Sequence, residues 1–159
     1  MKTSIYLESS VISYLAAKPS RDPVKAARQL QARALWNAKN NYDLVVSTAV
    51  IDEISQGNPA QAGLRRELIQ PLRILSITSE TDSLAVELLR RKALPAKAFA
   101  DAVHMAIATT HRIGVMASFN FRHLASVFAK AKIEQTLRDL GYSPPLIATP
   151  EEILGASHD

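Results

Sequence analysis

Four polar side chains stand where short apolar runs end. Glu8 follows Ile5, Tyr6 and Leu7 directly; Glu53 lies a few residues past DLVVS; Asn120 lies two residues past GVMAS; and Asp101 heads the mostly apolar stretch DAVHMAIATTH. Carboxylates gathered at one point repel each other unless a cation lies between them. Mg²⁺ prefers oxygen ligands, keeps several waters, and takes one or two carboxylates together with substrate phosphate oxygens. An ion so held activates water for attack on a phosphodiester and stabilises the leaving oxygen. Ser118, just upstream of Asn120, is placed to hydrogen-bond a ligand carboxylate or a metal-bound water. Arg122 is the one basic residue that adjoins this edge; the other Lys and Arg residues read as solvated helix faces.

Each residue also has a purely structural explanation. Glu8 and Glu53 could each be an acid in the first turn of a helix, where the macrodipole favours negative charge. Asn120 could be a turn residue. Asp101 is harder to explain so, because its helix face continues through Met105 and Ala108. His104 follows Asp101 by three residues and shares its face. With no second histidine at useful spacing, it reads as a core histidine bonded to a nearby carboxylate or carbonyl rather than a metal ligand. His123, three residues after Asn120, orients the site, contacts phosphate or caps the turn.

The elements that must position these groups alternate. Residues 3–7, 43–47, 73–77, 114–118 and 145–148 are strand-length runs rich in Ile, Leu or Val. Helical patterns lie between them. Asp22 before Pro23 marks an N-cap and first helical position, with Ala27, Leu30, Ala34 and Ala38 as the apolar stripe. Ser79 and Asp82 suggest a loose capping box, followed by Leu84, Ala85, Leu88 and Leu89 facing the core. Ser47 or Thr48 caps the helix that carries Glu53, and a helix from about Phe121 ends near Gly141. Such alternation predicts a parallel sheet with helices on both faces. Ligands then bind beyond the carboxyl ends of the strands, where the four polar groups stand.

The 159 residues predict one domain, with 150–159 as a short C-terminal tail. The absence of cysteine excludes disulfides, thiolate nucleophiles and thiolate zinc sites, and agrees with a reducing cytoplasm. No apolar run approaches the ~18 residues that span a bilayer. MKTSIYLESS lacks the apolar core of a signal peptide, so a cytoplasmic protein without a membrane partner is expected. A net charge of +4 is compatible with a polyanionic partner but does not establish one. There is no glycine-rich phosphate loop, no G-x-S-x-G and no H-E-x-x-H. LESSVIS has no glycine at the first turn, which argues against a dinucleotide-binding enzyme.

YLESSVISYLAAKPSRD, VVSTAVIDEIS, LPAKAFADAVHMAIA, MASFNFRHLA and LGYSPPLIATPEEIL, in that order, resemble the PIN-domain family, and within it the VapC-like toxins of bacterial toxin–antitoxin systems. The resemblance implies a Rossmann-like α/β/α sandwich with a central parallel sheet of about five strands. It implies Mg²⁺- or Mn²⁺-dependent cleavage of RNA, a cognate antitoxin and a homodimer. The family's acids fall on Glu8, Glu53 and Asp101, and its fourth position on Asn120; Ser10 supplies the small hydroxyl after the first acid and Ser118 precedes the fourth position. Two departures stand out. Glu8 is where aspartate is usual, which lengthens the reach by a methylene, and Asn120 replaces an aspartate, which removes a negative charge. Both favour one tightly held ion.

The expectation is a metal-dependent endoribonuclease, the toxin of a toxin–antitoxin pair. Glu8 and Asp101 are the principal metal ligands, with Glu53 binding through water or orienting the attacking water. Asn120 holds a bound water or a phosphate oxygen, and Ser10, Ser118, Arg122 and His104 support them. The departures motivate an alternative, an inactive RNA-binding or regulatory module that keeps the fold.

Overall fold

A computed structural model describes residues 1–155. Five short strands form one parallel sheet: β1 (Ser4–Leu7), β2 (Asp43–Ser47), β3 (Arg73–Leu75), β4 (Val115–Ala117) and β5 (Leu146–Ala148). Their spatial order is β3-β2-β1-β4-β5. Tyr6 is flanked by Val45 on β2 and Met116 on β4, and the ladder continues from Val46 to Ile74 and from Ala117 to Ala148. Residues 5–7, 45–46 and 116–117 are all buried, as expected of strands covered on both faces.

Between β1 and β2 lie α1 (Ser9–Ala16), α2 (Pro23–Asn37) and a 3₁₀ turn at Lys39–Asn41; α3 (Thr48–Ile54) and α4 (Pro59–Ile69) join β2 to β3. Next come α5 (Ser79–Arg90) and α6 (Phe99–Thr110) before β4. A π-type turn (Phe121–Ala125) and α7 (Val127–Asp139) lead to β5, and α8 (Pro150–Gly155) follows it. The chain steps outward from β1 to β3, then returns past β1 to β4 and β5. Because parallel crossovers are right-handed, the two directions place their helices on opposite faces. The packing agrees: α1 rests on α2, α3 and α4, whereas α5 rests on α6 and α7. The reversal between β1 and β4 creates a crevice at their carboxyl ends.

Several local signals act as expected. The Asp22 carboxylate accepts the Val24 and Lys25 amides, and Pro23 opens α2. Ser47 Oγ accepts the Val50 amide and so caps α3. Other expectations are corrected. The buried face of α2 is Gln29, Ala32 and Leu35, while Leu30 is exposed. Alanine packs on either side of a helix, so the Ala27–Ala34 stripe carried little directional information. Thr78, not Ser79, caps α5, in a reciprocal box with Thr81. Phe121 opens a separate π-type turn, and α7 begins only after its own cap, Ser126.

Residues 150–155, expected as a tail, form α8, which packs against α2. Thr149 and Glu152 make the capping box that starts it: the Thr149 amide donates to Glu152 Oε1 at 3.0 Å, and the Glu152 amide to Thr149 Oγ1 at 3.2 Å. Residues 156–159 lie outside the described residues. Among the described residues no helix is long and apolar enough to cross a membrane.

Candidate active site

Glu8 occupies the residue between β1 and α1, and its amide extends the β1–β4 ladder by donating to the Ala117 carbonyl at 3.1 Å. Although it is the N-cap of α1, its side chain caps nothing. Its Oε1 instead accepts two hydroxyls, Ser10 Oγ at 2.5 Å and Ser118 Oγ at 2.8 Å. Each serine in turn accepts a backbone amide at 2.9 Å, Ser10 from Phe119 and Ser118 from Asn120. The β4 exit is thereby coupled to the β1 exit through one carboxylate oxygen. Glu8 is only 6% exposed, so this carboxylate is held in place and not free to swing into bulk water. Its Oε2 takes no hydrogen bond from the described residues, which leaves it available to a ligand.

Asp101 lies in the first turn of α6 and is half-buried. Asn120 Nδ2 donates to its Oδ1 at 3.0 Å, and His123 Nδ1 lies 2.8 Å from its Oδ2. Asn120 works at both ends. Its Oδ1 accepts the His123 amide at 3.1 Å and starts the π-type turn, so the turn-residue explanation holds for that end alone. A carboxylate in place of this amide could not donate to Asp101 and would repel it. The Asn120 variation is therefore matched to the Asp101 carboxylate beside it.

Glu53 belongs to a second network. It is the penultimate residue of α3, so the helix-start explanation does not apply to it. Its Oε1 meets His104 Nε2. His104 Nδ1 lies 2.6 Å from the Tyr6 hydroxyl, which lies 2.7 Å from Ser47 Oγ, the α3 cap. Tyr6 and His104 are completely buried, with their rings edge-to-face at 5.8 Å. Burial opposes a charge on His104, but the bonded Glu53 carboxylate, reinforced by Glu8 and Asp101, raises its pKa above the ordinary value. Burial drives the Tyr6 pKa far up, partly offset by the Ser47 hydrogen bond and reinforced by the charges of Glu8 and Glu53, so this phenol stays neutral. All three acids thus act electrostatically on the same buried imidazole.

The sequence-predicted residues separate into these two sets. Glu8, Ser10, Ser118, Asn120 and Asp101 form one continuous hydrogen-bonded group, and Glu53 with His104 forms the other. Among the described residues no three His, Asp or Glu side chains lie close enough to hold one metal ion together. The cause is local: Glu53 is turned toward His104, and both Asp101 oxygens already have partners. The acids nearest the crevice offer an oxygen-only donor set: Glu8 Oε2, which has no partner among the described residues, and the Asp101 carboxylate, whose two oxygens each accept one hydrogen bond and keep further lone pairs. That fits Mg²⁺ or Mn²⁺, since such ions complete their shell with water and substrate oxygens. Arg122 is exposed and makes no hydrogen bond to either set among the described residues. His123 joins the site through Asp101, one of the three roles its position allowed. Tyr6 and Ser47 were not foreseen as part of it. Tyr6 sits inside an apolar strand run, and its partners lie 41 and 98 residues away, so no local signal pointed to its hydroxyl.

The PIN domain profile matches residues 5–129, the greater part of the chain and every residue of both networks. The chain belongs to the PIN domain family. This PIN domain also resembles solved structures. Mycobacterium tuberculosis VapC20, described as a toxin that cleaves the sarcin–ricin loop, is 21% identical with a TM-score of 0.59, over 74% of this chain and 91% of that one. VapBC2 from Rickettsia felis, bound to a DNA fragment from its promoter, is 12% identical with a TM-score of 0.58, over 92% and 98%. VapBC-1 from nontypeable Haemophilus influenzae is 15% identical with a TM-score of 0.57, over 93% and 98%. At these identities the likeness establishes the PIN fold. No curated protein sequence matches the chain at a significant level.

Proposed function

We propose that this PIN domain is a divalent-metal-dependent endoribonuclease and the toxin of a toxin–antitoxin pair. The observation that carries the reading is the group at the β1–β4 crevice. There Glu8 and Asp101, from opposite halves of the chain, are fixed by Ser10, Ser118, Asn120 and His123, and Glu8 Oε2 is left without a partner among the described residues. Glu8 and Asp101 would hold Mg²⁺ or Mn²⁺, and Glu53 would reach it through water. A divalent ion bound there supplies charge neutralisation at the phosphate and lowers the pKa of water. The chain's residues do the rest. Ser10 and Ser118 keep Glu8 aimed, Asn120 and His123 keep Asp101 aimed, and His104 orients Glu53. Glu53 Oε2, which bonds no described residue, takes the proton of the attacking water. The water oxygen bonds to phosphorus, the P–O3′ bond breaks, the released O3′ takes a proton from solvent water, and the products are a 5′-phosphate and a 3′-hydroxyl.

The toxin assignment, a cognate antitoxin, a homodimer and a cytoplasmic location rest on the likeness of sequence and fold to VapC-like proteins. Asp101→Asn keeps the shape of the side chain and removes its charge. Structured RNAs incubated with Mg²⁺ or Mn²⁺ should be cut by wild type, and the variant should be slower by two orders of magnitude or more, about the loss seen for one strong electrostatic group. Equal rates would sink the assignment. A second reading has one observation in its favour: both Asp101 oxygens are occupied by side chains of the chain itself. An RNA-binding module without catalysis would bind RNA but neither Mg²⁺ nor Mn²⁺ at millimolar concentration in a calorimetric titration.

A further inference from the structure

The π-type turn after Asn120 faces two ways. Phe121 lies under the Arg28 guanidinium, 5.2 Å from its ring centre, while Arg122 and His123 line a separate cleft between residues 92–96 and the start of α7. The cleft has a volume of about 620 Å³. That lies within the roughly 300–1,000 Å³ of small-ligand pockets. His123 bonds Asp101, so the cleft adjoins the proposed site. Lys92, Arg122 and Lys132 all line it, and none of the described residues lining it is acidic. Among the described residues these cations make no ion pair. Phe128, also in the lining, is 88% exposed, a large apolar ring with nothing described covering it.

Unpaired cations beside an exposed aromatic ring are what a single-stranded nucleic acid needs: charge for the phosphates and a flat face for a base. Lys92 adds an independent observation. It has φ 60, in the left-handed region, just past the end of α5, where glycine is the usual occupant. A lysine there keeps its cation beside the cleft in a backbone conformation that glycine would adopt with less strain.

We propose that this cleft carries the RNA nucleotides next to the scissile phosphate, with Lys92, Arg122 and Lys132 on the backbone and Phe128 stacked on a base. The proposal rests on the RNA-cleaving reading above, and its test separates the two. In an Asp101→Asn background, binding of a fluorescein-labelled oligouridylate of about a dozen nucleotides is followed by anisotropy across a salt series. Lys92→Gly should leave the melting temperature unchanged or higher. It should also reduce the slope of log K against log salt by about 0.7, the contribution of one phosphate contact to a single strand. Phe128→Ala should weaken binding roughly tenfold without changing that slope.

Binding by both variants equal to that of the parent overturns the proposal. If wild type cleaves RNA in that case, the nuclease reading stands alone. If wild type cleaves nothing while both effects appear, the cleft stands and the nuclease reading falls. Weakened capture of a co-expressed protein partner, with RNA affinity and salt slope untouched, would assign the cleft to a protein and also overturn the proposal.

Discussion

Tyr6→Phe removes one oxygen from the middle of the Ser47–Tyr6–His104–Glu53 network and almost nothing else. The ring is fully buried and its edge contact with His104 at 5.8 Å does not involve the hydroxyl, so packing is retained. Ser47 Oγ keeps the Val50 amide at 3.1 Å. His104 Nδ1 has no such reserve: it loses its 2.6 Å partner, and no described group replaces it. An unpaired buried polar atom costs about 1–3 kcal/mol. Taking the middle of that range, and roughly 2–4 °C of melting temperature per kcal/mol for a domain of this size, the variant should melt about 4–8 °C lower. Urea and thermal unfolding followed by circular dichroism measure the loss. The effect should also reach Glu53, because the imidazole that orients it is no longer held from behind. A cycle of Tyr6→Phe, Glu53→Gln and the double variant should then show a coupling of about 0.5–3 kcal/mol. Stability within ~0.5 kcal/mol of wild type, with additive singles, would refute the idea that the network is one unit.

Two further substitutions probe other parts of the fold. Burial disfavours the Glu152 carboxylate, but the Thr149 amide and Lys130 outweigh it and hold its pKa below the ordinary 4.5. A depressed carboxyl contributes stability above its unfolded value and loses it as pH falls through the folded one. Glu152→Gln should therefore be less stable than wild type at neutral pH, with the difference in urea midpoint closing below pH 4.5; a gap independent of pH would contradict this. Ser9 Oγ is the one buried side-chain polar atom among the described residues without a partner. Ser9→Ala removes that unmet hydroxyl and improves helix propensity, so stability should rise by about 1 kcal/mol. A loss in the unfolding free energy would show that the hydroxyl is satisfied in solution.

The parts of this molecule that were legible in its sequence are those with local causes. The five apolar runs, the Asp22–Pro23 start and the Ser47 cap each depend on neighbours a few residues away, and each appears close to where it was expected. The positions of Glu8 and Asn120 followed from the rule about strand ends. Helix α8 has an equally local signal: Thr149, Pro150 and Glu152 spell a capping box with proline at the first helical position. The orientation of α2 is not legible, because its alanines fit either face and Leu30, the leucine on the expected stripe, is exposed. Nor was the pairing of Glu53 with His104. It depends on which carboxylate turns toward a buried imidazole 51 residues away, and sequence spacing holds no information about that choice.

The Glu8 hub also has a consequence for timing. One of its two donors arrives late, Ser118 Oγ lying 110 residues downstream, and so does the Phe119 amide that fixes the other donor, Ser10. A chain still being synthesised at residue 100 already carries Glu8, Ser10 and Glu53 but lacks Ser118 and the Phe119 amide that complete the hold on the first carboxylate. Asp101 and the residues that aim it arrive together, between residues 101 and 123. Closing so long a loop is entropically costly and slow relative to local helix formation. The crevice is therefore among the last features to form, and a chain truncated before β4 keeps acidic residues without a site. The contacts that hold Glu8 and Asp101 in place are thus complete only when β4 stands beside β1.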